Sequence, residues 1–365
     1  MRIAQVAPLA EAVPPRLYGG TERVVSYLTE ELVALGHEVT LFASGDSRTR
    51  ARLEAVVPQA LRLGLKVRDE VAPHVVMLRR LLDRAAEFDV VHFHLDHLHL
   101  PAMLGRNISF VTTLHGRLDL PELGRVFAAF PEAPFVSISD AQRLPLRDVA
   151  MTWAATVHHG IPADLLRFSP RHQGYLAFLG RISPEKGPDA AIRIARTAGL
   201  PLRIAAKVDR VDQAYFEAVV KPMLDGPGVE FIGEIGDAEK SDFLGGAVAL
   251  LMPIDWPEPF GLVMIEAMAC GTPVVAYARG SVPEVVEDGV TGFVVRDEAG
   301  AAAALHGIGA LDRARVRREF ETRFTARRMA EDYLAIYRRL LRANDAAAAE
   351  RAAAGARAAP RLRLA

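Results

Sequence analysis

Short runs of apolar residues recur along the chain, separated by longer stretches in which apolar positions return every three or four residues. The runs at 2–7, 38–43, 89–93, 110–114, 135–138 and 155–158 predict strands in the first half. A second set follows at 175–179, 202–206, 229–232, 248–252, 273–277 and 292–295. Between the first two strands, Val24, Val25, Leu28, Leu32 and Leu35 share one face of a helix over 21–35, and Gly36 stands where a terminating glycine belongs. Strands alternating with helical segments predict parallel sheets covered by helices on both faces. The pattern weakens over 160–173, where Pro162, Pro170 and Gly174 punctuate polar sequence, and then restarts. The expectation is two α/β units in tandem, 1–168 and 169–324, facing each other across a cleft. A helix over 325–342 is expected to return to the first unit, ahead of a flexible Ala/Arg-rich tail over 343–365 that lacks an apolar face.

A chain of 365 residues suits two domains. Its formal net charge of −1 supplies no global field for nucleic acid. Cys270 is the only cysteine, which excludes an internal disulfide and a thiolate metal cluster. No apolar run approaches the ~20 residues that span a bilayer. The N-terminal MRIAQVAPLA fits a first strand better than a secretory signal, so a cytoplasmic enzyme is expected. The positive charge of the tail permits a peripheral contact with acidic lipid head groups, but a solvated tail is the simpler expectation.

Three stretches carry candidate chemistry. Tyr18-Gly19-Gly20-Thr21 lies between the first strand and the first helix, where backbone N–H groups can hold an anion. It lacks the glycine spacing of a dinucleotide site and the lysine of a P-loop. Gly180-Arg181-Ile182-Ser183-Pro184-Glu185-Lys186-Gly187 follows the first strand of the second unit. Arg181 and Lys186 at a strand's carboxyl end suit a diphosphate, with two solvated surface cations as the plain alternative. In WPEPFGLVMIEAMACGTPVV, residues 256–275, Glu258 and Glu266 stand eight positions apart in nearly uncharged sequence. Pro253, Pro257 and Pro259 place Glu258 on a loop, and Gly261 precedes a helix over 262–270 that carries Glu266. Helical spacing alone would set them ~12 Å apart, against the ~5–5.5 Å of a retaining glycosidase dyad. Two separate hydroxyl-binding carboxylates fit better than an acid–base pair.

EPFGLVMIEAMACGTPVVA resembles the Glu-x7-Glu signature of the family 4 retaining glycosyltransferases, which have the GT-B fold of two Rossmann-like domains. GRISPEKG, GSVPEVVEDGVTGFVV and YGGTERVVSYLTEELVALGHEVTLFASG resemble further segments of that family, in order along 1–342. The resemblance implies that Glu266 accepts ribose hydroxyls of a nucleoside diphosphate sugar. It implies that Glu258, with backbone N–H groups at Phe260, Gly261 and Leu262, holds hydroxyls of the donor sugar. Arg181 and Lys186 would neutralise the diphosphate, Gly19 and Gly20 would approach it from the other domain, and His115 in TTLHG would lie beside the reacting sugar. Transfer would be front-face, with retention, and would need neither cofactor nor metal. There is no Asp-x-Asp manganese signature. UDP-glucose is the default donor, and the acceptor hydroxyl could belong to a small metabolite, a lipid or a glycan, selected by 45–110 and 116–150. A nucleotide-sugar epimerase, a phosphorylase or a non-catalytic sensor are the alternatives.

Val91-His92-Phe93-His94-Leu95-Asp96-His97-Leu98-His99 offers alternating histidines on one strand face, which admits a metal pair. The family resemblance instead places them along the acceptor side of the cleft or in the core. Two segments depart from the family pattern. His159-Gly160-Ile161-Pro162 stands where Asn-Gly-Val-Asp is usual, and Ala205-Ala206-Lys207-Val208 replaces glycines, with Lys207 as a further cation for the phosphate site.

Overall fold

The computed structural model describes residues 1–16, 19–62 and 67–358. Seven strands form the first sheet: β1 (Arg2–Val6), β2 (Glu38–Ser44), β3 (Arg52–Val57), β4 (Val90–Phe93), β5 (Phe110–Thr113), β6 (Pro134–Ser137) and β7 (Thr152–Thr156). They run parallel in the order β3-β2-β1-β4-β5-β6-β7. The second sheet holds β8 (Tyr175–Arg181), β9 (Leu202–Lys207), β10 (Val229–Gly233), β11 (Ala247–Met252), β12 (Val274–Tyr277) and β13 (Gly292–Val295). Its order, β10-β9-β8-β11-β12-β13, is also parallel. In each sheet the strand order reverses beside the first strand, and ligands of such sheets bind outside the carboxyl ends there. Both units are therefore Rossmann-like.

Two strands differ from the predicted runs. β3 lies outside them, because RLEAVV is a half-buried edge strand whose Arg52 and Glu54 break the apolar run. β7 starts at Thr152, ahead of the predicted 155–158.

Side chains of β8 alternate between two cores, Tyr175 and Ala177 on one face and Leu176 and Phe178 on the other. In the first unit the helix Gly20–Ala34 buries Val24, Leu28 and Leu32 against Ile3 and Val90. Each such side chain contributes about 1.5–3 kcal/mol of transfer free energy.

The helix Ala326–Ala358 leaves the second unit and packs on the helix Gly20–Ala34 of the first, burying Tyr333 and Tyr337 completely. It runs past Arg342 to Ala358, into the stretch expected to be a flexible tail. Alanine is the strongest helix former and arginine is close behind, so this sequence continues a helix without an apolar face to bury. Residues 359–365 lie outside the described residues. The two units also meet directly. Arg23 at the start of the first helix pairs with Asp237, Ser139 Oγ donates to the Pro259 carbonyl at 2.7 Å, and the Glu284 carboxylate accepts from the backbone N–H groups of Asp140 and Ala141 at 2.8 and 2.7 Å. Among the described residues, no helix is long and apolar enough to cross a membrane.

Candidate active site

β11 ends at Met252, and the three prolines carry an irregular segment round to Gly261, where the helix Leu262–Ala269 begins. Gly261 takes φ +76°, and a Cβ there would lie 2.9 Å from Met264 Cε and 3.0 Å from Met252 Cε. Glu258 is thus on a loop and Glu266 on a helix, and each takes its own lysine. Glu258 accepts from Lys186 Nζ and, at 3.0 Å, from Trp256 Nε1, both at Oε2. The Lys186 ammonium also sits 5.0 Å from the centre of the Trp256 ring. Glu266, only 4% exposed, accepts from Lys240 Nζ at 2.6 Å on Oε1. The second oxygen of each carboxylate, Glu258 Oε1 and Glu266 Oε2, has no hydrogen-bond partner among the described residues.

The loop around Glu258 is held from behind by Gly280. At φ +53°, a Cβ on Gly280 would meet the Glu258 carbonyl oxygen at 2.3 Å and its nitrogen at 2.4 Å. Gly280→Ala should therefore lower stability by about 1–3 kcal/mol in a denaturant titration, through combined backbone strain and overpacking.

Arg181 ends β8 in register with Lys207 of β9, so two cations stand side by side at adjacent strand ends. Carboxylates surround them. Arg181 lies 2.5 Å from Glu185, 3.6 Å from Asp212 and 3.9 Å from Asp209, and Lys207 lies 2.8 Å from Asp209. These contacts fix the guanidinium in place while an arginine still has five N–H donors to share.

On the first unit, Gly19 and Gly20 open the first helix toward the cleft, and Tyr18 of that motif lies outside the described residues. His115 follows β5, with its Nε2 2.8 Å from His94 Nδ1 and its ring stacked on His159 at 5.2 Å between centroids. Burial pushes the His115 imidazole down to about 3, so it is neutral at ordinary pH. His92 uses both ring nitrogens, on Tyr337 and Thr113, each at 2.7 Å. His94 likewise uses both, on Gln5 and His115. While those bonds stand, neither ring has a lone pair for a metal. His99 bonds Thr112 and stacks on Phe93.

Gly19, Gly20, His115, Arg181, Lys186, Glu258, Phe260, Gly261, Leu262 and Glu266 all line one cleft of about 840 Å³ between the units. The cleft also holds His159, of the segment that departs from the family pattern, and residues not singled out from sequence: Glu22, Arg23, Arg62, Lys240 and Trp256. Glu22 is 6% exposed, and burial, with Glu11 nearby, pushes its carboxyl above the usual range. Arg62 is paired with Glu11 at 3.0 Å. A signal existed for Glu22 and Arg23, which directly follow the glycine motif in the first helical turn. None existed for Lys240, whose partner lies 26 residues away.

A family model described as Glycosyltransferase Family 4 matches residues 18–165, and one described as Glycosyl transferases group 1 matches 167–322. The chain belongs to glycosyltransferase family 4. A solved structure of this GT-B fold, AviGT4, a glycosyltransferase involved in avilamycin A biosynthesis, superposes with a TM-score of 0.72 at 28% identity over 93% of this chain and 98% of that one. Anabaena Alr3699/HepE, crystallised with UDP and glucose, shares the fold with a TM-score of 0.71 at 19% identity, covering 92% of this family 4 chain and 98% of its own. A D-inositol 3-phosphate glycosyltransferase of Streptomyces griseus is 34% identical over 165 residues, which is 39% of this chain and 31% of that protein. This family 4 chain thus matches less than a third of that relative's length.

Proposed function

We propose that the chain transfers a hexosyl group from a nucleoside diphosphate sugar to an acceptor hydroxyl, with retention at the anomeric carbon and without a metal or other cofactor. One observation carries this reading. Two carboxylates of the same cleft are each anchored by a lysine on one oxygen and open on the other. A carboxylate offers about four lone-pair sites, so the lysines leave room for hydroxyl donors. Glu266 takes the ribose hydroxyls. Glu258, with the N–H groups at Phe260, Gly261 and Leu262, takes hydroxyls of the sugar.

Arg181 and Lys186 meet the diphosphate, and Gly19 and Gly20 let the backbone approach it from the first unit. The neutral His115 faces the sugar. The bond from the anomeric carbon to the diphosphate oxygen breaks while the bond to the acceptor oxygen forms on the same face. The acceptor's proton passes to the departing phosphate oxygen, so no protein nucleophile takes part. Negative charge grows on the diphosphate, where the cations stabilise it more in the transition state than in the ground state. The acceptor, a small metabolite, lipid or glycan, enters from the first unit beside Glu22 and Arg62. UDP-glucose is the first donor to test, since a protein of this fold was crystallised with UDP and glucose.

A panel of nucleoside diphosphate sugars, screened for thermal stabilisation of the protein, tests the donor site. At least one should raise the melting temperature. Glu266→Ala should weaken its binding by about 10–100-fold, the worth of hydrogen bonds to a charged acceptor. An unchanged shift in that variant would remove Glu266 from the site.

A further inference from the structure

His92 and His94 belong to a buried hydrogen-bonded chain that joins the C-terminal helix to the cleft. Gln5 lies on β1, with its side chain fully buried. Its Oε1 is 2.8 Å from His94 Nε2, and its Nε2 donates to the Tyr337 hydroxyl at 3.2 Å. A carbonyl oxygen can only accept, so His94 Nε2 carries the proton. Burial keeps His94 neutral, which leaves its Nδ1 bare. Across the 2.8 Å contact to that bare nitrogen, His115 Nε2 must be the donor. A neutral His115 with its proton on Nε2 has a bare Nδ1, and this buried atom has no hydrogen-bond partner among the described residues.

The other arm follows the same logic. The Tyr337 hydroxyl accepts from Gln5, and His92 Nδ1 is the one acceptor for its own proton among the described residues, so it donates there. His92 Nε2–H then donates to Thr113 Oγ1, which lies 2.8 Å from the Tyr333 hydroxyl. Each bond's direction fixes the next, so the orientation of one amide sets the tautomers of three histidines.

We propose that Gln5, held by Tyr337 of the C-terminal helix, is a positioning residue that sets the tautomer of His115 through His94, leaving Nδ1 as the ring's lone pair. The consequence for turnover rests on the transferase reading above; the tautomer does not. The C-terminal helix thereby acts on the reacting end of the cleft as well as tying the two units together.

The test uses full-length protein labelled with 15N-histidine and long-range 1H–15N correlation spectra, which show which ring nitrogen carries the proton. His115 is assigned by its loss from the spectrum of His115→Ala. In the wild-type protein, His115 should show a protonated Nε2 and a bare Nδ1. Gln5→Leu removes the acceptor that orients His94, and Tyr337→Phe removes the acceptor that orients Gln5 while keeping the ring. In each, the His115 signals should shift toward the Nδ1-protonated form or split between the two. Turnover should fall about tenfold, the worth of one hydrogen bond, with the donor KM within about twofold.

A wild-type His115 protonated on Nδ1 would overturn the proposal. So would unchanged His115 signals in either folded variant. Because the spectra need no substrate, an absence of sugar transfer would refute the transferase reading while the tautomer result stands or falls by itself.

Discussion

Arg181→Ala should lower turnover for sugar transfer by about 10²–10³-fold while the affinity for the nucleoside diphosphate sugar should change by less than about tenfold. The split follows from where the charge goes. In the proposed donor complex the diphosphate already carries negative charge that Lys186 and the glycine backbone would share. Bond breaking adds further charge at the departing oxygen, and a fixed guanidinium is worth most at that moment. Glu185, Asp209 and Asp212 fix Arg181 before any ligand arrives, so little reorganisation remains for the reaction itself. Arg181→Lys keeps the charge but loses the planar fork, and should recover only part of the rate. Equal losses in affinity and turnover for Arg181→Ala would mean that the residue binds the ground state only. Initial rates over a range of donor concentrations, with an independent dissociation constant, decide between these.

The second large effect is acid sensitivity near pH 6. His92, His94, His99 and His159 are buried, and burial pushes each imidazole far below its ordinary value near 6.5, His99 to about 3. In the unfolded chain these rings take up protons as the pH falls below about 6.5, while in the folded protein they stay neutral. The unfolded state then binds more protons, so stability falls with falling pH across the window from about 6.5 toward 3. His99 alone should lose about 1 kcal/mol of stability between pH 6.5 and 5.5, and the other three act in the same direction. The melting temperature should therefore drop by about 5 °C or more from pH 7.5 to 5.5. A melting temperature independent of pH over that range would show that these rings protonate in the folded state, and the buried network would then have to be redrawn.

Much of the scaffold was legible because its signals are local. The apolar face at Val24, Leu28 and Leu32, the glycines at 19 and 20, and the prolines that force Glu258 onto a loop can each be read within a few residues. The edge strand β3 was not legible, since an edge strand needs no continuous apolar run. Nor was the length of the last helix, where alanine propensity outweighs the missing apolar face. The partners of the site residues were hidden for a different reason. Lys240 meets Glu266, His92 meets Tyr337 and Arg23 meets Asp237 across 26, 245 and 214 residues, and no local pattern records such distances. The histidine run at 92–99 shows what this costs. Its spacing fits a metal pair as well as a strand end, and only the distant partners Tyr337, Thr113, Gln5 and His115 reveal that the ring nitrogens of His92 and His94 are already used.

The most direct test follows the anomeric carbon. A donor carrying 13C at that carbon, UDP-glucose first, is incubated with the protein in EDTA and a panel of hydroxyl acceptors, and the one-bond carbon–proton coupling of the product is recorded by NMR. Transfer is expected in EDTA, with the donor's α configuration retained in the product. A β-linked product, or transfer only when a divalent metal is restored, would contradict it.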